Sequence, residues 1–414
     1  MKRIGIIGLG CVGQGLIDYL EQQPQLPYYV QGIAIKQGHK KRKHTTIPIT
    51  TAVRTLIDDP AIDIIVEVID DAEAAYGIAK ATLLAGKELV TANKKMVALY
   101  LSELLELQDT TGKRILFEAA VGGSIPILSL LDGYYRDEPL TRIRGILNGT
   151  SNYVLTKIFN DKMDYPRALR QAQQKGYAES DPTNDVSGKD AWYKTKLLAY
   201  QAYGTDLALD SIFHYGIQHL TPDDVQYARS KNQRIKLTPL IVPTPRGLVA
   251  WVVPHFIDVS DPFFSIDNEY NCIQLDGQFL GQQHITGKGA GAWPTASALI
   301  ADLQRLSQTP QHGSGHAPLD PLDTSAISIE VYIRGPQLLQ NSAAVFEDVS
   351  EGFMDDHLHY LIGYVRLDRL IAQKPKLEKQ ACMVIATGRY RLQNKAGDST
   401  STEVLKKSAM VAIV

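Results

Sequence analysis

A glycine-rich turn near the N-terminus constrains the fold of this chain more than any other feature. Residues 2–8 have the pattern of a buried strand, and an amphipathic run at 16–20 follows the turn. Gly8 permits a tight turn, Gly10 lets the backbone approach a pyrophosphate, and Gly13 allows close packing of helix on strand. A helix N-terminus there offers N–H groups to an anion. The pattern predicts a dinucleotide site at Gly8, Leu9, Gly10, Cys11, Val12 and Gly13, with a purely structural turn as the alternative.

The segments after this turn alternate between strand and helix. Apolar, β-branched runs indicate strands, and an alanine-rich stretch that Gly86 ends indicates a helix. Such alternation favours a parallel sheet with right-handed crossovers. We therefore predict an α/β fold with a Rossmann-type doubly wound parallel sheet. The predicted strands are 28–35, 62–69, 88–91 and 114–119, and the predicted helix is 72–85.

The end of the second predicted strand bears on the choice of dinucleotide. An NAD site usually has an Asp or Glu at this point, which binds the ribose 2′-OH. This chain instead continues from Ile35 into a basic run that extends to His44. A cationic loop suits a 2′-phosphate, so NADP is favoured over NAD, with Lys36 and Lys40 as candidate contacts. A solvated surface loop is the alternative.

Two later strand ends also carry polar residues. Thr91 and Lys94 lie at the end of the fourth predicted strand, where open α/β sheets bind ligands. Lys94 could meet the nicotinamide or the substrate, or it could simply cap the strand end. Glu118 precedes a Gly-rich turn at 121–125, whose carbonyls suit a monovalent or divalent cation. Such turns are often structural only.

A charged loop that runs into a helix is the second functional feature. Residues 176–194 carry several carboxylates and two lysines. Asp190 and Lys194 stand four positions apart on the predicted helix and share one face, and Glu179 could fold back to that face. Two carboxylates and a lysine could hold an ammonium group and move the proton of a hydroxyl. An ordinary salt bridge beside an N-cap loop is the alternative.

Several motifs, in the same order along the chain, resemble one enzyme family. The loop Gly176–Pro182, continued by Asp185, Gly188, Asp190 and Lys194, is similar to the signature loop of homoserine dehydrogenase. The resemblance covers about residues 1–310, and no aspartokinase segment precedes it, which implies the monofunctional form. The other segments that agree are Val90–Lys94, Phe117–Pro126, Ile146–Tyr153, Val252–His255, Asp261–Asn271 and Thr286–Ala296.

The resemblance implies a reaction and the residues that serve it. The reaction is the reversible NAD(P)-dependent oxidation of L-homoserine to L-aspartate 4-semialdehyde, on the route to threonine and methionine. Lys194 would be the acid/base group, assisted by Lys94 near the reacting carbon. The substrate would be held by Glu179 and Asp190 at its amino group, with Asp185, Gly176 and Tyr177 around them. A sodium site is implied at Glu118 and the carbonyls of Val121, Gly123 and Ile125, and further cofactor contacts at Gly289 and Gly291.

Some features depart from the family pattern. Asp70 and Asp71 stand where small or neutral residues are usual, and two carboxylates there would repel a pyrophosphate unless they turn to solvent. Lys288 and Trp293 lie in a turn that is usually small and apolar. Asp70-Asp71 and the C-terminal tail are the features that favour the alternative, a non-catalytic relative that senses NADP or an amino acid.

Composition limits the partners and the location. The net charge of −2 over 414 residues gives no reason to expect nucleic acid or an anionic membrane as a partner. The apolar runs are too short to cross a bilayer, and the N-terminus lacks a signal-peptide core. Three widely spaced cysteines form neither a disulfide framework nor a metal knuckle. We expect a cytoplasmic homodimer that acts on a small molecule.

The length predicts several domains. We predict a dinucleotide-binding domain at 1–125, an α+β substrate-binding and dimerisation domain at 126–307, a linker rich in Pro, Gly, Ser and His at 308–322, and a small α/β appendage at 323–414. Many members of the family end in a regulatory ACT domain. This tail lacks the Asp-x-Pro-Gly turn of that domain, so a divergent ACT-like role remains open.

Overall fold

The computed structural model describes residues 1–36, 46–307, 317–335, 345–354 and 359–393, and the backbone of 402–404. The chain forms two compact units. Unit 1 comprises Met1–Asp137, Lys196–Asp206 and Thr286–Pro318, and unit 2 comprises Glu138–Thr195, Leu207–Ile285 and Leu319–Val414. None of the helices in these described ranges is both long and apolar enough to cross a membrane.

Strands and helices of the described ranges are numbered in chain order. The strands are β1 (Lys2–Ile7), β2 (Tyr28–Ala34), β3 (Ile49–Thr50), β4 (Ile64–Glu67), β5 (Glu88–Thr91), β6 (Ile115–Leu116), β7 (Leu140–Ile146), β8 (Phe213–His214), β9 (Gln233–Thr244), β10 (Gly247–Asp258), β11 (Tyr270–Gly277), β12 (Gly281–Lys288), β13 (Ile327–Arg334), β14 (Asp348–Met354), β15 (His359–Arg366), β16 (Met383–Leu392) and β17 (Thr402–Val404). The helices are α1 (Cys11–Gln22), α2 (Arg54–Ile57), α3 (Ala72–Leu84), α4 (Lys94–Leu99), α5 (Leu101–Thr111), α6 (Ile127–Asp132), α7 (Gly149–Asn160), α8 (Tyr165–Gln174), α9 (Thr183–Val186), α10 (Lys189–Tyr203), α11 (Pro222–Ser230), α12 (Ala292–Arg305) and α13 (Leu367–Lys379).

Unit 1 is built on a six-stranded sheet in the order β3-β2-β1-β4-β5-β6. Every neighbouring pair runs parallel. The predicted doubly wound parallel sheet is thereby confirmed. The strand order reverses between β1 and β4, and the crevice at the carboxyl ends of these strands is where such sheets bind ligands.

The core of unit 1 forms because the central strands are apolar along their whole length. Ile4, Ile6 and Val66 are fully buried, as expected for parallel strands covered on both faces. From α1, Leu16 packs into the same core, and from the distant α12, Leu299 does so too. A segment near residue 300 therefore completes the dinucleotide fold that the N-terminus begins.

Unit 2 is built on a mixed sheet, which confirms the predicted α+β part. Its order is β12-β11-β7-β9-β10-β16-β13-β15-β14, with β8 on β10 and β17 on β16. The long antiparallel pair of β9 and β10 forms its centre. Both strands are almost wholly buried; β10 is mostly apolar, whereas β9 buries Lys236 and Thr238 among its apolar residues.

The C-terminal elements join this same sheet. Strand β16 pairs in parallel with β10 through Ala386 and His255. Strands β16, β13, β15 and β14 follow one another at this end of the sheet. Helix α13 runs from Leu367 to Lys379 and contains Pro375. The domain bounds 1–125, 126–307, 308–322 and 323–414 remain a prediction.

One predicted strand is much shorter than expected. Only Ile115–Leu116 of the 114–119 segment pairs in the sheet, and a 3-10 helix follows at Glu118–Ala120. The Glu118 backbone N–H donates to the carboxylate of Asp302 on α12 at 2.8 Å. The chain leaves the sheet early because this side-chain acceptor replaces a strand partner.

Candidate active site

The glycine turn has the geometry that a diphosphate requires. Gly8 has φ of +112°, and a methyl group on it would lie 2.6 Å from the Val68 carbonyl oxygen. A methyl group on Gly13 would lie 2.2 Å from the Gly8 carbonyl oxygen, whereas one on Gly10 would meet no atom within 4 Å. No side chain caps α1 at Gly10. The turn thus leaves open space at an uncapped helix N-terminus, with Leu9, Cys11 and Val12 beside it.

The glycine turn at residues 289–291 packs against α1 and against the turn at 121–125, all within unit 1. Gly291, with φ of +120°, precedes α12, and the carbonyl oxygen of Ala292 would lie 2.8 Å from a methyl group on Gly15. The Gly289 carbonyl oxygen would lie 2.6 Å from a methyl group on Gly123. The structure therefore brings the turn of Gly289 and Gly291 close to α1 and to the proposed cation turn. Trp293, one of the unusual residues, is half exposed and packs against Tyr19 of α1.

The end of β2 is only partly described. Ile35, the first residue after the strand, is buried, and the next residue, Lys36, is exposed. No acidic residue stands at this point. Lys40, the other predicted contact of the 2′-phosphate, lies outside the described residues.

Thr91 at the end of β5 belongs to a buried hydrogen-bond network. Its hydroxyl donates to the Glu67 carboxylate at 2.5 Å and accepts from the Asn93 backbone N–H at 3.0 Å. The other Glu67 oxygen accepts from the backbone N–H of Ile69. Burial raises the pKa of Glu67 to about 7, although these hydrogen bonds lower it. The Asn93 side chain caps α4, which begins at Lys94. The network thus fixes the helix start that carries Lys94.

The unusual pair Asp70-Asp71 has a local explanation. The Asp71 carboxylate accepts from the backbone N–H groups of Glu73 and Ala74 and caps α3. Its charge is therefore offset by the helix N-terminus. Asp70 is exposed. Asp71 is accordingly a helix cap, and Asp70 is a solvated surface residue.

Glu118 is buried, and its carboxylate is held by the start of α6. It accepts from the backbone N–H groups of Leu128 at 2.9 Å and Ser129 at 2.6 Å, and from the Ser129 hydroxyl. Burial raises the pKa of Glu118. Within the described ranges, no group of three or more His, Cys, Asp or Glu residues is arranged to hold a metal ion. A cation at this turn would therefore depend on backbone carbonyls such as those of Val121, Gly123 and Ile125.

A buried charged cluster forms around the start of α10 in unit 2. The Lys194 ammonium lies 2.8 Å from the Asp190 carboxylate and donates to the Leu147 carbonyl oxygen at 2.7 Å. The Asn148 side-chain amide donates to Asp190 at 3.0 Å and to Asp185 at 2.7 Å. Lys194 is 6% and Asp190 4% exposed. In so little water an ion pair holds a defined geometry. The sequence-predicted residues Asp185, Asp190 and Lys194 are thus brought together.

The upstream part of the charged loop is placed differently. The Glu179 side chain is exposed and makes none of the described contacts of this cluster, although the sequence suggested that it could fold back. Tyr177 packs against Tyr153 of α7 and receives a hydrogen bond at its carbonyl from the Thr150 hydroxyl. Gly176 has φ of +77°, which permits the turn after α8.

Asn148 is the functional candidate that the sequence analysis missed. It caps α7 through its side-chain oxygen, which accepts from the Ser151 backbone N–H, while its amide nitrogen holds both carboxylates. Its segment was recognised as one of the family motifs, and this was the available signal. A spacing of 42 residues between Asn148 and Asp190 gives no pattern that sequence periodicity could detect.

Comparisons with known proteins agree along the chain. A family model described as homoserine dehydrogenase matches residues 126–304, and one described as its NAD binding domain matches 8–118. A homoserine dehydrogenase of Helicobacter pylori is 35% identical over 84% of this chain and 84% of its own length. One from Bacillus subtilis is 34% identical over 73% of this chain and 72% of its length. A crystal structure of a homoserine dehydrogenase from Thiobacillus denitrificans superposes with a TM-score of 0.79 at 28% identity, covering 93% of this chain and 98% of that one.

Proposed function

The chain belongs to the homoserine dehydrogenase family, and from that premise we propose the roles that its own residues take in the reaction. It is an NAD(P)-dependent oxidoreductase that interconverts L-homoserine and L-aspartate 4-semialdehyde. The family matches extend over both the dinucleotide-binding part and the part that carries the charged cluster. A non-catalytic sensing relative is therefore not favoured.

The observation that carries the proposed mechanism is the position of Lys194. Its amine is held between a carboxylate of Asp190 and the carbonyl of Leu147 in a nearly dry site. A positioned lysine can take the hydroxyl proton of homoserine during oxidation and return it during reduction. A bound nicotinamide would supply the acceptor for the hydride of the carbinol carbon. We assign the proton step to Lys194.

The carboxylates beside Lys194 are proposed to hold the substrate's ammonium group. Asp190 and Asp185 share the Asn148 amide as a donor, which keeps both carboxylates within one cluster. A substrate ammonium would add charge-assisted hydrogen bonds to these acceptors. Glu179, with Gly176 and Tyr177, is proposed to complete the substrate site once a ligand gives its exposed carboxylate a partner.

Lys94 is proposed to assist near the reacting carbon. Its support in the structure is local: α4 begins at this residue, and the cap by Asn93 fixes the helix start at the carboxyl end of β5. Open parallel sheets bind their ligands at this edge. The same location supports Thr91 as a residue near the cofactor, and the close approach of the turn at 289–291 to α1 supports Gly289 and Gly291.

NADP is proposed as the preferred dinucleotide. The glycine turn fits the diphosphate of either cofactor, because the position at Gly10 is open. The preference rests on the end of β2, where exposed Lys36 stands in place of an acid and the sequence continues through Lys40 and further cations. A 2′-phosphate would be attracted to this loop, whereas a ribose hydroxyl gains little from it.

A monovalent cation is proposed at the turn after Glu118. The support is the burial of the Glu118 carboxylate at the start of this turn. A cation on the carbonyls of Val121, Gly123 and Ile125 would offset this buried negative charge. A higher midpoint of thermal unfolding in sodium chloride than in choline chloride, lost in Glu118→Gln, would support the site without any assay of turnover.

A homodimer and a cytoplasmic location are proposed on the strength of the family and the composition. Light scattering coupled to size-exclusion chromatography would measure the assembly directly. A molar mass near twice that of the 45.7 kDa chain is expected.

The experiment that tests the proposed function is a set of initial rates with L-homoserine. NADP and NAD are compared in matched buffers with sodium, potassium or neither. Turnover that prefers NADP supports the function and the role of the basic loop. Turnover that prefers NAD keeps the enzyme and removes the proposed role of Lys36 and Lys40. A folded protein that binds the cofactor but does not oxidise L-homoserine with either NADP or NAD would overturn the proposed mechanism.

A further inference from the structure

One short segment of unit 2 contacts both the start of the catalytic helix α10 and the C-terminal elements. Residues 213–219 comprise β8 and the turn after it, and we call them the bridging segment. His214 and Tyr215 within it are buried. Phe213 and Tyr215 belong to the same apolar core as residues of β13, α13 and β16.

On one side the bridging segment packs against the turn that leads into α10. The Ile217 backbone N–H donates to the Val186 carbonyl oxygen at 2.7 Å. A methyl group on Gly216 would lie only 1.9 Å from that same oxygen, so the two segments are in close contact. The ring of His214 lies 4.2 Å from the ring of Trp192, on the first turn of α10.

On its other side the bridging segment is bonded to the C-terminal elements. The Tyr215 hydroxyl donates to the Cys382 carbonyl oxygen at 2.6 Å. The Lys374 amine of α13 lies 2.6 Å from Nε2 of His214. Arg334 at the end of β13 donates to the His219 carbonyl oxygen at 2.7 Å. These three bonds connect the segment to β16, α13 and β13.

The contact with Trp192 bears on the catalytic face of the helix. Successive helical residues are about 100° apart, so Asp190 and Lys194 share a face and Trp192 lies nearly opposite them. The Trp192 indole N–H also donates to the carbonyls of Leu209 and Ile212, which fixes the ring. A displacement of Trp192 would therefore move the opposite face, which carries Asp190 and Lys194.

The charges at the contact suit a neutral imidazole beside an ammonium. Burial, together with the charges of Lys374 and Lys189, lowers the pKa of His214 to about 3. At neutral pH the ring can therefore accept a hydrogen bond from Lys374. Burial lowers the pKa of Lys374 to about 8, while the nearby Glu378 carboxylate favours its charged form, so the amine can donate to the ring at neutral pH.

We propose that Lys374 and His214 are positioning residues for the dehydrogenase reaction: Lys374 orients the His214 ring, which packs on Trp192 and holds Asp190 and Lys194 against Asn148. The C-terminal elements thus take part in setting the geometry of the active site. This inference rests on the proposed roles of Asp190 and Lys194.

The test is Lys374→Met, which removes the donor but keeps an apolar side chain of similar length. We expect kcat to fall roughly 10- to 100-fold, because small misplacements of catalytic groups cost this much. KM for the nicotinamide cofactor should stay unchanged, since the glycine turn belongs to unit 1. Lys374→Arg should recover most of the loss. Lys376→Met, at an exposed position on the same helix, is the matched control and should retain wild-type kcat.

The pairing of the two residues is tested by a double-mutant cycle. His214→Phe keeps a ring beside Trp192 but removes the acceptor, so its effect and that of Lys374→Met should be strongly non-additive. Additive effects would overturn the proposal. So would a kcat for Lys374→Met equal to that of Lys376→Met, or a loss that Lys374→Arg does not recover.

A fluorescence measurement separates this inference from the proposed function. Tryptophan emission of the cofactor-free protein should change in Lys374→Met, and the change should vanish in a Trp192→Phe background. That result supports the contact even if the enzyme were inactive on homoserine. An unchanged emission in a folded Lys374→Met protein would overturn the inference while leaving the proposed function untouched.

Discussion

Two buried carboxylates of unit 1, those of Glu67 and Glu118, have backbone and hydroxyl groups as donors, whereas the most buried carboxylate of the unit 2 cluster has a lysine. Glu67 and Glu118 each accept hydrogen bonds from turns and helix starts, and burial raises the pKa of both. Asp190 instead lies 2.8 Å from the Lys194 amine and shares the Asn148 amide with Asp185. Neutral donors make a buried acid an anchor for the chain. A lysine beside the acid makes a group that can exchange a proton with a substrate. Burial alone therefore does not mark the catalytic residues of this enzyme.

The largest effect is expected at the lysine of unit 2. Lys194→Met should lower kcat by roughly 10²- to 10⁴-fold, which is the usual range for loss of a general acid/base group. Binding of the cofactor, followed by fluorescence titration, should be unchanged. Lys231→Met, on the surface of the same unit, serves as the control and should retain full turnover. Turnover of Lys194→Met close to that of the control would remove the contrast between the two regions.

An intermediate effect is expected at the anchor Glu67 and concerns stability. Its folded-state pKa is about 7 against an ordinary value of 4.5, so the folded protein holds a proton that the unfolded chain has lost. The free energy of unfolding should therefore fall as pH rises from 4.5 to 7, by at most about 1.4 kcal/mol per pH unit.

Urea denaturation of wild type and Glu67→Gln across this pH range measures the effect. The slope should be smaller in Glu67→Gln, which cannot ionise, and unchanged in Glu73→Gln, an exposed position on α3. Equal slopes in wild type and Glu67→Gln would show that Glu67 does not hold its proton in the folded protein.

The smallest effect is expected at the helix cap of α3. Asp71→Ala should lower the free energy of unfolding by about 1 kcal/mol, because two backbone N–H groups lose their acceptor. Asp70→Ala, at the exposed neighbour, should change it by less than about 0.5 kcal/mol. Chemical denaturation of both variants would check the assignment, and a larger loss for Asp70→Ala would reverse the roles given to the two carboxylates.

Local sequence patterns were enough to predict much of the fold. The apolar runs gave β1, β2 and β5 closely, and the glycine spacing placed Gly8 and Gly13 where only glycine fits. These features depend on neighbouring residues, so a single sequence contains them. The early end of β6 could not be predicted, because its cause is Asp302 on a helix almost 200 residues away.

The site was predictable to the same extent. The pairing of Asp190 with Lys194 follows from one helical turn, and the structure has it. The partners Leu147 and Asn148 lie in the turn between β7 and α7, and no local rule connects them to α10. The sequence suggested that Glu179 could fold back toward Asp190 and Lys194, but no local pattern requires this contact. The Glu179 side chain is exposed.

The central claim is that the Lys194 amine carries the proton in the reaction. Chemical rescue tests it most directly: turnover of Lys194→Ala with homoserine is measured while small primary alkylamines are added. The account predicts very low turnover without amine and a rise with amine concentration, while Lys231→Ala shows no response. Near-wild-type turnover of Lys194→Ala without any amine would contradict it.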